Sequence, residues 1–167
     1  MRLGRLLKHM LVTPGSLRRA FPPAALDRIT QAIARVEAGH SGEIRFAIEA
    51  ALPWSYLRRD APARQRAVMV FSKLRVWDTE HNNGVLLYVE LADRSVEIVA
   101  DRGIAQKVSS AEWEAICRVM REHFRRGAYE AGAVAGIETV GAKLAQHFPL
   151  APGLARPNEL PDRPVEL

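Results

Sequence analysis

Three carboxylates and two amides fall where they could together bind a hard cation. Asp78 and Glu80 belong to one polar segment with Asn82 and Asn83, and Asp101 begins another. Carboxylate and amide oxygens are the ligands that calcium takes, six to eight at a time. The spacing matches no EF-hand loop, so a polar turn, with left-handed backbone at the amides before a strand, remains an open interpretation.

Other reactive side chains point to no reaction. His40 and His81 could act in acid–base chemistry or bind a transition metal, but Ser41 beside His40 lacks a third partner for a nucleophilic triad. Cys117 is the one cysteine, and no Cys/His pairing has zinc spacing. No glycine-rich phosphate loop follows a strand. We therefore predict no catalytic residue. The other histidines, expected at the surface or at helix ends, are His9, His123 and His147.

The hydrophobic pattern predicts the order α, β, α, β, β, α, α. Residues 43–49 alternate between apolar and charged, which indicates a strand with one wet face, whereas 85–89 are nearly all apolar, as in a strand covered on both faces. We expect Gly39 to end the first helix in the left-handed conformation, and Asp60 to cap the second. Ser109 and Glu112 fit a capping box.

These elements predict a three-layer α/β/α sandwich around a small mixed sheet. The first two strands should be parallel, joined by a right-handed crossover, and the third antiparallel after a hairpin turn. One edge of the sheet then gathers residues 39–42, 78–83 and 101–103. The opposite end gathers residues 52–56, 93–94 and 127–129.

The chain is long enough for one domain, and its charge is uneven. It has 167 residues, of which 48% are hydrophobic and 26% charged, and no uncharged stretch reaches the length of a membrane span. The net charge of +5 arises entirely before position 27, where no acid occurs. We divide the chain into a basic arm (1–22), a domain (23–148) and a proline-rich tail (149–167), expected to be unstructured or to follow the surface.

Residues 2–12 of the arm predict an amphipathic helix. Apolar residues recur at helical spacing, and Arg2, Arg5 and Lys8 lie on the opposite side. The segment has no cleavage site of a secretory signal. A helix this short needs a surface, which could be its own domain, a partner protein or an anionic membrane. Thr13–Ser16 should break the helix.

A second basic run raises the question of nucleic acid. Its cations fall on both sides of a predicted apolar stripe, as on a solvated helix flank, so we do not expect nucleic-acid binding. Its residues are Arg58, Arg59, Arg64, Arg66, Lys73 and Arg75.

Three segments, Trp77–Leu87, Asp93–Ile98 and Phe124–Tyr129, together resemble the TPM domain. The similarity extends over residues 27–147, and the Asn-Asn-Gly-Val-Leu-Leu run with the hairpin after it carries most of it. This family includes thylakoid-lumen photosystem repair proteins and bacterial membrane-linked proteins. The resemblance implies an α/β/α sandwich.

The resemblance also implies candidate sites. Some members are described as acid phosphatases and some bind calcium, but this chain has Ala128 where an acidic residue is usual, and 101–103 replace a glycine-rich step. We predict a non-catalytic or weakly catalytic binding module near membrane proteins, cytoplasmic and peripheral at the inner face of the membrane. A calcium-assisted acid phosphatase is the alternative. From the motif match we take Asn82, Asn83, Gly84 and Asp93 as candidate ligand-binding residues. The loops grouped at one sheet edge add His81 and Arg102, and they supply the candidate calcium ligands Asp78, Glu80 and Asp101.

Overall fold

A computed structural model describes residues 3–151, 153 and 158–167. In this part of the chain the predicted elements occur in the predicted order, joined by three further short helices and a short strand. No described helix combines the length and hydropathy that a membrane span requires. The helices are α1 (Leu3–Leu11), α2 (Pro14–Ala20), α3 (Pro23–Glu37), α4 (Trp54–Arg58), α5 (Ala63–Lys73), α6 (Arg102–Ala105), α7 (Ser110–Arg125) and α8 (Tyr129–His147); the strands are β1 (Glu43–Glu49), β2 (Gly84–Glu90), β3 (Ser95–Ala100) and β4 (Val165–Glu166).

The strands form one mixed sheet in the order β3-β2-β1-β4. β1 and β2 are parallel, with Glu43 opposite Gly84, and β2 and β3 are antiparallel, with Val85 opposite Ala100. Both predicted pairings are confirmed. The strand starts of β1 and β2 and the end of β3 therefore share one edge of the sheet.

Helices cover both faces of this sheet, as the sandwich prediction requires. On one face, α3, α7 and α8 bury Ile29, Met120 and Ile137 against strand residues such as Phe46. On the other face, α5 packs on the alternate strand residues. Because side chains alternate along a strand, each central strand contributes to both cores.

The prediction of a wet face on β1 is wrong, since all seven of its residues are buried. Glu49 accepts hydrogen bonds from Arg66 (Nη2 to Oε1, 2.5 Å) and from the Tyr88 hydroxyl (2.5 Å). The bond to Glu49 raises the pKa of Arg66, and burial raises that of Tyr88. Arg66 was expected on a solvated helix flank but is buried, because it pairs with Glu49 on β1. The hydrophobic pattern of the helix alone could not identify this partner.

The tail returns to the sheet at its end. The Glu43 carboxylate accepts the backbone N–H groups of Glu159 and Leu160 (both 3.2 Å), and Val165–Glu166 pairs in parallel with β1. Burial lowers the pKa of Arg45, which donates to a backbone carbonyl of this segment. Residues 158–167 are therefore not unstructured but follow the surface along the edge of the sheet, and 152 and 154–157 lie outside the described residues.

The helix ends confirm one capping prediction and correct two. Ser109 and Glu112 form the predicted capping box of α7. Asp60 does not cap α5, which begins after Pro62; it has φ of 52° in the preceding turn. Gly39 is not left-handed: α3 ends at Glu37, and Ala38 caps it with right-handed backbone.

The last part of the predicted arm belongs to the domain. The break at Thr13–Ser16 is also a helix start, since the Thr13 side chain caps α2. Leu17 and Phe21 are 5% and 1% exposed, and the Phe21 ring packs near Phe46, Phe124 and Tyr129.

Candidate functional site

The predicted meeting of three loops is present at the edge formed by residues 39–42, 78–83 and 101–103, which we call the amide edge. The Asn83 side chain donates to Ser41 Oγ (3.3 Å), and the Asp101 backbone N–H donates to the Gly84 carbonyl (2.9 Å). Arg102 Nη2 lies 3.5 Å from Asn82 Oδ1.

Backbone geometry explains two residues of this edge. Asn82 has φ of 51°, the left-handed backbone expected there. A Cβ on Gly84 would lie 1.9 Å from the Val76 carbonyl oxygen, so no larger residue fits. The Asn-Gly step thus sets the entry into β2.

Two oxygens at the amide edge are buried without a hydrogen-bond partner among the described residues: Asn83 Oδ1 and Asp101 Oδ2. The other Asp101 oxygen accepts the Arg102 N–H at 2.7 Å and caps α6. Buried polar atoms normally have partners, so these two favour a bound water or cation.

The remaining predicted ligands are more dispersed. Asp78, Glu80 and His81 are exposed, and Asp78, Glu80 and Asp101 do not form a group whose ligand atoms all lie within 4.8 Å of one another. The three-carboxylate calcium site therefore stays a prediction. His40 is fully buried, with Nδ1 3.1 Å from the Gly42 carbonyl.

A different charged cluster lies at the opposite end of the sheet, where α1 crosses the β2–β3 turn. Arg5 donates to Asp93 (Nε to Oδ2, 2.8 Å) and to Asp60 (3.0 Å). His9 Nε2 lies 3.3 Å from Asp93 Oδ2, and its Nδ1 lies 3.7 Å from Glu90. We call these five residues the arm cluster. Of the two positions expected for His9, the helix end is correct, because it lies in the last turn of α1, but the surface is not, because it is 5% exposed.

Within the described residues, His9, Glu90 and Asp93 are the three metal-binding side chains whose ligand atoms lie together. Their hydrogen bonds suit an ion-pair cluster better than a metal centre. The Leu52 N–H donates to His9 Nδ1 (3.1 Å), which leaves the proton of the neutral ring on Nε2, so neither nitrogen offers a free lone pair. Glu90 accepts two backbone N–H groups, both at 2.9 Å, and Arg5 neutralises Asp93.

The pKa values of two acids of this cluster, Glu90 and Asp93, are shifted in opposite directions. Burial raises the pKa of Glu90 to about 7, despite its backbone hydrogen bonds. Burial acts on Asp93 in the same sense, but the hydrogen bond and the charge of Arg5 outweigh it and lower the pKa of Asp93. Asp93 is therefore the fixed negative charge that holds the arm.

The contacts of the arm cluster orient α1 on the domain. Arg5 and His9 of α1 face the domain, whereas its exposed side carries Lys8 and four apolar side chains that are mostly exposed. The exposed fractions are 77% for Leu3, 58% for Leu7, 71% for Met10 and 71% for Leu11. Met10 also borders a shallow groove with Trp54 of α4, which is 57% exposed.

A cleft opens beside α1, at the end where the sequence grouped residues 93–94 and 127–129. It measures about 730 Å³ and is bordered by Lys8, Arg19, Arg94 and Tyr129 among others. A smaller pocket of about 200 Å³ adjoins it and shares Arg94 and Tyr129. We call the larger space the basic cleft.

The protein is an α/β/α sandwich with helices on both faces of a mixed sheet. Two local features accompany this fold: an Asn-Gly step where the chain enters β2 and an aspartate in the hairpin turn that follows. The TPM domain family model matches residues 18–143, and the chain belongs to this family.

Two solved structures are similar. BA42 from the psychrophilic bacterium Bizionia argentinensis is 31% identical, with a TM-score of 0.74 over 86% of this chain and 92% of that one. The N-terminal domain of a P. gingivalis protein is 22% identical, with a TM-score of 0.61 over 77% of this chain and 81% of that one, and supports the fold alone. A search of curated proteins finds no match.

Proposed function

We propose that this TPM-domain protein is a non-catalytic or weakly catalytic module that binds an anionic membrane surface through α1 and so works near membrane proteins. One observation carries the proposal: the arm helix turns Arg5 and His9 toward the domain and exposes Leu3, Leu7 and Leu11. A helix that used its apolar face to pack on its own domain would be oriented the other way round.

Charge around the exposed face fits a negatively charged partner. No acid precedes position 27, and Lys8, Arg18 and Arg19 are exposed on α1 and α2, with Arg58 on the neighbouring α4. Each cation near an anionic bilayer contributes about 1 kcal/mol, and burying a leucine side chain contributes roughly 2 kcal/mol. Under this proposal the protein is cytoplasmic and peripheral at the inner leaflet, whose anionic lipids create a negative surface potential.

Flotation with lipid vesicles tests the proposal. Wild-type protein should float with phosphatidylcholine vesicles that contain phosphatidylglycerol, and Leu7→Glu should lower the bound fraction at least tenfold, because it removes apolar contact and adds a repelled charge.

Val119→Glu is the matched control, since Val119 is 48% exposed on α7 and borders neither the cleft nor the groove beside α1. It should bind as the wild type does. Equal binding by Leu7→Glu and Val119→Glu, or no flotation of the wild type, would contradict membrane docking and leave a protein partner for the arm.

A second candidate function, cation-assisted phosphatase chemistry at the amide edge, has one specific observation in its favour: the buried, unpartnered oxygens of Asn83 and Asp101. Calcium titration followed by 15N NMR should shift resonances of 82–84 and 101–103. Asp101→Asn keeps the α6 cap but removes the charge, so it should weaken calcium binding at least tenfold.

Asp78→Asn is the control for this site, because Asp78 is exposed and outside the buried pair. It should reduce calcium affinity much less than Asp101→Asn. Hydrolysis of p-nitrophenyl phosphate, assayed with the same variants, would establish the reaction if Asp101→Asn alone lost it. Resonances that do not move with calcium would contradict the cation site.

A further inference from the structure

The basic cleft holds three cations that have no acid to neutralise them. Lys8, Arg19 and Arg94 make no ion pair or side-chain hydrogen bond with any other described residue. The nearby carboxylate of Asp93 is already bound by Arg5 at 2.7 Å. Uncompensated cations that converge on a concave site favour an anionic ligand, and arginine suits phosphate oxygens in particular.

These cations come from three separate elements. Lys8 lies on α1, Arg19 on α2, and Arg94 in the β2–β3 turn, where its φ of 55° is unusual for a residue that is not glycine. The Tyr129 side chain borders the same cleft and adds an apolar wall with one hydroxyl donor. Arg121 and Arg125 border the adjoining pocket, but their charges are partly met by Glu114 and Glu122.

We propose that the basic cleft binds the phosphate headgroup of an anionic phospholipid, with Lys8, Arg19 and Arg94 as the phosphate-binding residues. This proposal rests on membrane docking by α1 and identifies the lipid that α1 meets. Leu11 borders the cleft and is also exposed on the outer face of α1, so a headgroup in the cleft would place its acyl chains beside the leucines. A soluble phosphate compound would leave that apolar face uncovered.

Partition of the full chain into phosphatidylglycerol-containing vesicles tests the headgroup site. Lys8→Gln and Arg94→Gln should each weaken partition about fivefold more than Lys107→Gln does. Lys107→Gln removes the same charge from an exposed position next to α6, at the opposite edge of the sheet. Variants that all behave alike would overturn the headgroup site, while loss of binding in Leu7→Glu alone would still support membrane docking.

Dihexanoyl phosphatidylglycerol, used below its micelle concentration, provides a second readout by 15N NMR. Shifts should concentrate at residues 8, 19, 94 and 129 and should be reduced in Arg94→Gln. Glycerol 1-phosphate serves as the soluble comparison. Equal shifts by glycerol 1-phosphate at equal concentration would reassign the cleft to soluble phosphate compounds, and shifts elsewhere would overturn the site.

Discussion

Replacing Arg66 with methionine should lower the free energy of unfolding by about 3–5 kcal/mol, the typical cost of leaving a buried charge without its partner. Arg66 is 9% exposed and donates to both oxygens of Glu49, which is 4% exposed. Without the guanidinium, the Tyr88 hydroxyl remains the one side-chain donor among the described residues that meets this carboxylate. Urea denaturation at neutral pH measures the loss.

Two variants separate this network from general effects of removing an arginine. Arg64→Met, two residues before Arg66 on the same helix, removes a half-exposed arginine and should cost less than about 1 kcal/mol. The triple variant Glu49→Leu, Arg66→Met and Tyr88→Phe replaces the whole network with apolar groups and should recover most of the stability. A triple variant as unstable as Arg66→Met would contradict the role of the unpaired carboxylate.

Glu90→Gln should remove the fall in stability that the wild type undergoes as the pH rises toward 7. The pKa of Glu90 is raised to about 7 in the folded protein from its ordinary value of 4.5. Between these two pH values the folded state holds a proton that the unfolded chain has released, so the free energy of unfolding falls as the pH rises. A shift of this size corresponds to about 3 kcal/mol above pH 7. Glutamine does not ionise and so lacks this pH dependence. Its NH2 group replaces one of the two oxygens that accept the backbone N–H groups of Ala92 and Asp93, which lowers the stability by the same amount at every pH.

Urea denaturation of both proteins at several pH values between about 4.5 and 8 checks this result. The stability difference between Glu90→Gln and the wild type should grow with pH in favour of the variant. Glu114→Gln is the control: Glu114 is 65% exposed on α7, and its replacement should leave the pH profile unchanged. Stability curves of Glu90→Gln and wild type that stay parallel would show that Glu90 ionises normally.

The sequence was sufficient for the parts of the fold that depend on local pattern. Apolar periodicity located the long helices, the Ser109–Glu112 spacing identified a cap, and the run 85–89 identified the central strand. The alternation of charged and apolar residues in β1 led to the wrong prediction of a solvated face. A charged residue on a strand can be buried when it has a partner, and the alternation does not reveal that partner. The partners of Glu49 and Glu43 come from α5 and from the tail, far away in sequence.

The two candidate sites also differ in whether the sequence could predict them. Strand direction sufficed to bring Asn83 and Asp101 to one edge, because parallel and antiparallel pairing fix which loop ends meet. The arm cluster could not be found, since a helical wheel gives two faces without saying which one turns inward. That depends on Asp60 and Asp93, which attract Arg5 from 55 and 88 positions away.

The two-residue strand β4 affects how readily the sheet can pair with that of a second molecule. Strand β1 would otherwise be the outermost strand on its side, with backbone donors and acceptors open to a second molecule, and such open borders template fibrils. Val165–Glu166 occupies part of that border, and the Leu167 N–H bonds to the Ile48 carbonyl at 2.9 Å. Residues 165–167 therefore cover part of the exposed edge of β1 and block its pairing with a second molecule.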